Sequence, residues 1–229
     1  MSWSKWVSRS VEIEPSLYAA DFSRLGEQID ELLDAGARIF HCDMGDGHFI
    51  PEVTIGPVVL SSISGLVHER GGVLDCHLMV SDPERHFQSI ARAGGDSVTF
   101  HVEVVDDAGR AVAAARDLGL GVGIAFNPET TVEEAAGAGV EADVVLCMSI
   151  RPGYSGQTFM PEAFARIEAL RARLPSDVHV QVDGGISDDN VAAAHAAGSD
   201  LIVAGSAVFW SGEPATAYGR LRDVAEATP

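Results

Sequence analysis

Four residues whose types suit divalent-metal or acid–base chemistry stand at the ends of predicted strands: His41, Asp43, His77 and Asp183. In the segment RIFHCDMGDGHFIP, residues 38–51, a short apolar run reaches His41-Cys42-Asp43 and passes into a turn rich in Gly and Asp. Side chains two apart on a strand share a face, so His41 and Asp43 project together while Cys42 points away. His77 closes the third predicted strand, and Asp183 follows the seventh within QVDGGI. Two imidazoles and two carboxylates form a His2Asp2 donor set suited to one divalent ion of Zn, Mn, Fe or Co. The same groups serve general acid–base catalysis. Ser16 and His101 end the first and fourth strands, and each of these residues taken singly is equally a strand-end cap.

For the four to meet, their strands must lie parallel with their C-terminal ends together. Periodicity predicts strands over 11–17, 38–43, 73–78, 97–101, 121–126, 143–148, 178–182 and 201–204. Helices are expected over 23–35, 57–66, 83–93, 107–118, 132–138, 161–174, 188–197 and 214–225. Strand–helix alternation implies a parallel sheet, because parallel strands need crossover connections. Eight such units in one domain favour an α/β fold of the closed (β/α)8 TIM-barrel type, whose sites gather at the C-terminal strand ends. Residues 1–10 read as a polar tail and 11–229 as the barrel, with Trp3 and Trp6 expected to pack on a neighbour or lack order. No G-x-G-x-x-G follows the first strand, which removes the main support for dinucleotide binding.

Glycine-rich segments lie beside the same mouth: RPGYSGQTF after the sixth strand, Gly184-Gly185 after the seventh, and Gly205-Ser206 in AGSAVF after the eighth. Loops after the last barrel strands commonly form a phosphate site.

The net charge of −19, from 34 acidic and 15 basic residues, excludes nucleic acid and anionic membranes as partners. An anionic ligand must then be held by local backbone groups. The three cysteines, Cys42, Cys76 and Cys147, form no C-x-x-C pair and read as buried thiols. Neither a signal peptide nor an apolar run of about 18 residues is apparent, so a cytoplasmic setting is expected.

The sequence resembles the ribulose-phosphate 3-epimerase family. The resemblance runs from Val11 onward and rests on PSLYAADFSRLGE, HCDMGDGHFIPEVTIGP, CHLMV, TFH, NPET, RPGYSGQTF, VDGGI and AGSAVF, in the family's order and spacing. It implies a ribulose-phosphate-binding barrel that interconverts D-ribulose 5-phosphate and D-xylulose 5-phosphate through a metal-stabilised enediolate. His41, Asp43, His77 and Asp183 fall on its metal positions, and Asp43 and Asp183 on its acid–base carboxylates. Ser16, His77, Met79 and Met148 fall on substrate contacts. Gly153, Tyr154, Ser155, Gly156, Gly184, Gly185, Gly205 and Ser206 fall in the phosphate-holding segments. A small phosphorylated ketose is the implied substrate, and a homo-oligomer the expected assembly.

The chain departs from the family pattern at Glu14, Tyr18, Gly45, Arg151 and Ser155. Gly45 offers room for a larger substrate, so a 3-epimerase of a hexulose 6-phosphate is one alternative; a non-catalytic sugar-phosphate-binding barrel is another. Related barrels that decarboxylate or form Schiff bases need an active-site lysine, and the sole lysine, Lys5, lies in the tail. Glu14, two residues before Ser16, should point into the barrel. A buried carboxylate needs a partner: either Arg151 across the mouth, or backbone N–H groups and water near the first strand, with Arg151 a solvated loop residue.

Overall fold

Each strand carries apolar residues on its outer face and mixed residues on its inner face, and the barrel follows from that split. The computed structural model describes residues 3–227; residues 1–2 of the expected tail and 228–229 of the expected barrel lie outside the described residues. The strands are β1 (Glu12–Pro15), β2 (Ile39–Gly45), β3 (Val73–Met79), β4 (Ser97–His101), β5 (Gly121–Phe126), β6 (Val144–Met148), β7 (His179–Asp183) and β8 (Leu201–Ala204). The helices are α1 (Leu25–Asp34), α2 (Pro57–Glu69), α3 (Glu84–Ala93), α4 (Ala108–Asp117), α5 (Val132–Gly139), α6 (Glu162–Arg171), α7 (Val191–Ala196), α8 (Ser206–Phe209) and α9 (Pro214–Glu226).

All strand pairs are parallel, in the order β1-β8-β7-β6-β5-β4-β3-β2. A parallel bridge between Ser16 and His41 brings the two edges together, making a nearly closed (β/α)8 TIM barrel. Near-closure leaves little strand edge for unwanted pairing. Two helix starts, those of α4 and α5, carry side-chain caps: Asp107 accepts from Arg110 N at 3.0 Å and Thr131 from Glu134 N at 3.2 Å. No helix among the described residues is long and apolar enough to cross a membrane.

The main core lies between sheet and helices, where outward residues such as Phe40, Leu74, Phe100, Ile124 and Val182 are buried. Inside the barrel the residues stack in layers, as the strand period of two requires. The floor is apolar: Ile39, Val144 and Leu201 pack with Trp3. Trp3 is therefore not a free tail residue. It is 1% exposed, with Trp6 edge-on at 5.1 Å between ring centroids. The short segment Trp3–Lys5 folds back under the strands, a long-range contact that no local pattern announces.

Trp3→Ala should lower the unfolding free energy by about 3 kcal/mol, the low end for truncating a buried aromatic side chain. Urea denaturation with an unchanged m-value would measure it. A loss under about 1 kcal/mol would show that the floor holds without this ring.

Candidate active site

The mouth layer draws one polar side chain from each of five strand ends: Ser16, Asp43, His77, His101 and Asp183. Asp43 stands opposite His77 in the β2–β3 register, and Asp183 opposite Met148 in the β6–β7 register. His77 Nδ1 lies 3.1 Å from Asp43 Oδ1 and 3.8 Å from Asp183 Oδ2. His41 Nε2 lies 3.3 Å from Asp43 Oδ1. Ser16 Oγ donates to Asp43 Oδ2 at 2.5 Å. His41, Asp43, His77 and Asp183 each offer an atom within 4.8 Å of the others. The four residues read from the sequence do meet.

The hydrogen bonds behind the two histidines test whether a metal ion fits. His41 Nδ1 faces Asp75 Oδ2 at 2.9 Å. A carboxylate accepts, so the proton sits on Nδ1 and the Nε2 lone pair turns toward the cluster. Nε2 is buried and has no hydrogen-bond partner of its own. His77 Nε2 faces His101 Nε2 at 2.9 Å, and His101 Nδ1 faces Glu103 Oε2 at 3.2 Å. Glu103 accepts from His101 Nδ1, His101 Nε2 then accepts from His77 Nε2, and the Nδ1 lone pair of His77 faces Asp43 and Asp183. Both imidazoles thus present a lone pair to the same carboxylates, with the outer hydrogen bonding that metal-ligating histidines show.

Burial and neighbours push the two carboxylates in opposite directions. For Asp43, burial opposes ionisation, but His41 and His77 outweigh it and hold the carboxyl well below its usual range. For Asp183, burial and then the charge of Asp43 push it up to about 7. Burial lowers His101 to about 4. Burial also disfavours a charged His41, yet with no cation bound Asp43, Asp75 and Glu14 outweigh it and raise this ring well above its ordinary value; a metal ion would take the place of the Nε2 proton.

A second polar layer lies beneath the first and was not read as part of the site. Gln181 Nε2 donates to Glu14 Oε2 at 2.6 Å and to Asp75 Oδ2 at 3.1 Å. Of the two alternatives for Glu14, the pair with Arg151 does not form, and its partner is Gln181 rather than backbone N–H groups. Arg151 is 77% exposed on the loop after β6 and pairs with Glu129 at 2.7 Å, whereas Glu14 points inward one layer below the mouth. One signal was available: Glu14, His41, Asp75 and Gln181 each stand two residues before a mouth residue, on the same strand face. Glu103, beyond β4, carries no comparable signal.

Above the cluster opens a cleft lined by Ser16, Asp43, Asp183, Met79 and Met148 and rimmed by residues 153–156, Gly184, Gly185, Gly205 and Ser206. Every sequence-predicted site residue lines it except His41 and His77, which lie buried below. Small residues on the rim are imposed by close approach. A Cβ on Gly185 would lie 2.5 Å from Phe159 N, and its φ of +64° is a conformation other residues rarely adopt. Tyr18 and Ile150 line the cleft as well. Gly45 does not enlarge it: a Cβ there would strike Ile50 Cδ1 at 2.5 Å and Glu52 O at 2.7 Å. Met44 faces the outer core.

The chain is similar to known proteins over most of its length. The model of the "Ribulose-phosphate 3 epimerase family" matches residues 12–209. A ribulose-phosphate 3-epimerase of Schizosaccharomyces pombe is 38% identical over 212 residues, 93% of this chain and 92% of that protein. The Escherichia coli K12 enzyme of the same name is 38% identical over 200 residues, 86% and 88% of the two chains. A cytoplasmic isoform from Oryza sativa is 37% identical, covering 95% of each. Among solved structures, orotidine 5'-phosphate decarboxylase from Pyrococcus horikoshii has a TM-score of 0.69 at 19% identity, covering 94% of this chain and 99% of that one; it shows the fold alone.

Glu103 yields a pH test. Burial opposes its ionisation, but hydrogen bonds from His101, Thr130 and Asn127 N hold its carboxyl down at about 2. A lowered folded-state value contributes stability above the unfolded value near 4.5, lost as pH falls toward 2. Glu103→Gln should therefore be less stable than wild type at pH 6 by roughly 1–3 kcal/mol, with the gap shrinking by pH 3. Denaturation at both pH values measures it, and a gap that does not shrink would remove the ionised carboxylate from behind His101.

Proposed function

The chain belongs to the ribulose-phosphate 3-epimerase family and is an isomerase, and on that premise we propose that it interconverts D-ribulose 5-phosphate and D-xylulose 5-phosphate by moving the proton on C3. The observation that carries this reading is the pair of carboxylates in one cleft, Asp43 held ionised and Asp183 pushed up to about 7. Carboxylates whose environments separate them in this way divide into base and acid.

In the proposed reaction the C3 proton passes to the Asp43 carboxylate and its electron pair moves toward the C2 carbonyl, giving an enediolate. Asp183 returns a proton to C3 from the opposite face as the carbonyl re-forms, leaving Asp43 protonated and Asp183 ionised. Reversal, or exchange with solvent, resets the pair. Acid–base catalysis of this kind adds about 10²–10⁴-fold. Ser16, 2.5 Å from Asp43, fixes the carboxylate that takes the proton. Met79 and Met148 would pack against the sugar and keep water from the carbanionic carbon.

His41, Asp43, His77 and Asp183 would hold one divalent ion (Zn, Mn, Fe or Co), which when bound supplies Lewis-acid stabilisation of the negative charge developing at C2 and C3 oxygens. The phosphate would lie on the rim of Gly153–Gly156, Gly184-Gly185 and Gly205-Ser206, a remote handle whose binding positions C3. Apart from Tyr154, that rim is built of glycine and serine and carries no acidic side chain to repel it. The hexulose reading rested on Gly45 and loses that support, because Ile50 fills the space. Action on a soluble sugar phosphate in the cytoplasm, as a homo-oligomer, completes the reading.

Asp43→Asn and Asp183→Asn should each lower ribulose 5-phosphate epimerisation by at least about 10²-fold. Metal content must be measured alongside, since each change also removes a charged ligand. A variant that keeps near-wild-type kcat with metal bound would rule out the two-carboxylate mechanism.

A further inference from the structure

The proposed proton transfers leave one buried group without a task. Glu14 is fully buried inside the barrel, and so are Asp75 and Gln181 beside it. The three are joined by one amide. Gln181 Nε2 gives its two N–H bonds to Glu14 Oε2 at 2.6 Å and Asp75 Oδ2 at 3.1 Å. That same Asp75 oxygen lies 2.9 Å from His41 Nδ1, while Glu14 Oε2 lies 3.7 Å from it. Ser97 Oγ anchors the other Asp75 oxygen at 2.7 Å. Glu14 Oε1 and Gln181 Oε1 have no hydrogen-bond partner. Folding around an unpartnered polar atom is costly, so the packing of the barrel alone does not account for a carboxyl at this place.

We infer that Glu14 is a positioning residue for the metal centre: through Gln181 it fixes Asp75, and through Asp75 it fixes the His41 ring with Nε2 toward Asp43 and Asp183. Asp75 Oδ2 is the acceptor that fixes the His41 Nδ1–H, and Gln181 is its amide donor. An amide tethered at both N–H groups cannot rotate; tethered at one, it can. Without Glu14, Gln181 is released at one end and Asp75 Oδ2 loses a fixed neighbour. His41 then samples orientations in which its lone pair leaves the cluster. Partners behind a metal-ligating histidine typically change metal affinity by about 10–100-fold.

This inference rests on the divalent-ion reading above, and the test separates the two. Co2+ is the probe, because its dissociation constant and its visible absorption both report the ligand set independently of turnover. Wild type should bind one equivalent. Glu14→Ala should bind Co2+ at least about 10-fold more weakly, with an altered absorption band, as expected for a lost partner behind a ligand. Glu14→Gln keeps an oxygen for Gln181 Nε2 and should stay within about 3-fold of wild type. Gln181→Met keeps the volume, removes the link and should match Glu14→Ala; it decides the matter if Glu14→Ala does not fold.

A merely structural role would lower the unfolding temperature of Glu14→Ala while leaving its Co2+ affinity and absorption at wild-type values, and that result overturns the inference. Equal weakening in Glu14→Gln and Glu14→Ala overturns the hydrogen-bonded route. A wild-type chain that takes up no Co2+ overturns the metal-centre reading and this inference together. Wild-type affinity in both Glu14→Ala and Gln181→Met overturns this inference alone.

Discussion

Two buried imidazoles, each held from behind by a hydrogen bond, govern what the mouth of this barrel can do. His41 gives its proton to Asp75 behind it, and His77 turns Nε2 to His101, which leans on Glu103. These contacts leave His41 Nε2 and His77 Nδ1 facing the same two carboxylates. Reverse either tautomer and the cluster presents an N–H where a lone pair is needed. The donor set therefore depends on residues that never touch the cleft.

The barrel supplies this arrangement cheaply because strand side chains repeat every second residue. A floor of Ile39, Val144, Leu201 and Trp3 excludes water from below. The middle layer of Glu14, Asp75 and Gln181 holds His41, and the mouth layer meets the cleft. The apolar residues that drive folding face outward to the helices, which frees the interior for polar groups. Parallel strands are ordinarily apolar on both faces; the polar interior here marks where function overrides that rule.

Much of this was legible from residues alone. Alternating strand and helix patterns marked all eight strands, with end shifts of one or two residues, and a parallel sheet follows from that alternation. His41, Asp43, His77 and Asp183 were legible because each sits at a strand end beside glycine or apolar residues. The partners behind them were harder. Asp75 and Gln181 obey the two-residue rule, but a polar residue inside a strand reads equally well as facing solvent. Glu14 was rightly turned inward yet given the wrong partner, because sequence does not tell how far below the mouth a side chain lies. Trp3 meets its partners only through chain closure, for which local patterns hold no record, and Glu103 stands two residues beyond His101 in a turn rather than on the strand face.

The central claim is that two carboxylates work C3 from opposite faces. Conversion of ribulose 5-phosphate in D2O, stopped at low turnover, tests it through the isotope content of C3 in the xylulose 5-phosphate formed. The proton removed and the proton delivered belong to different groups, so the product should carry close to one solvent deuteron at C3 from the first turnovers. Substantial retention of the substrate's own C3 hydrogen in the product would mean that a single group both takes and returns it, and would contradict the assignment of Asp43 and Asp183.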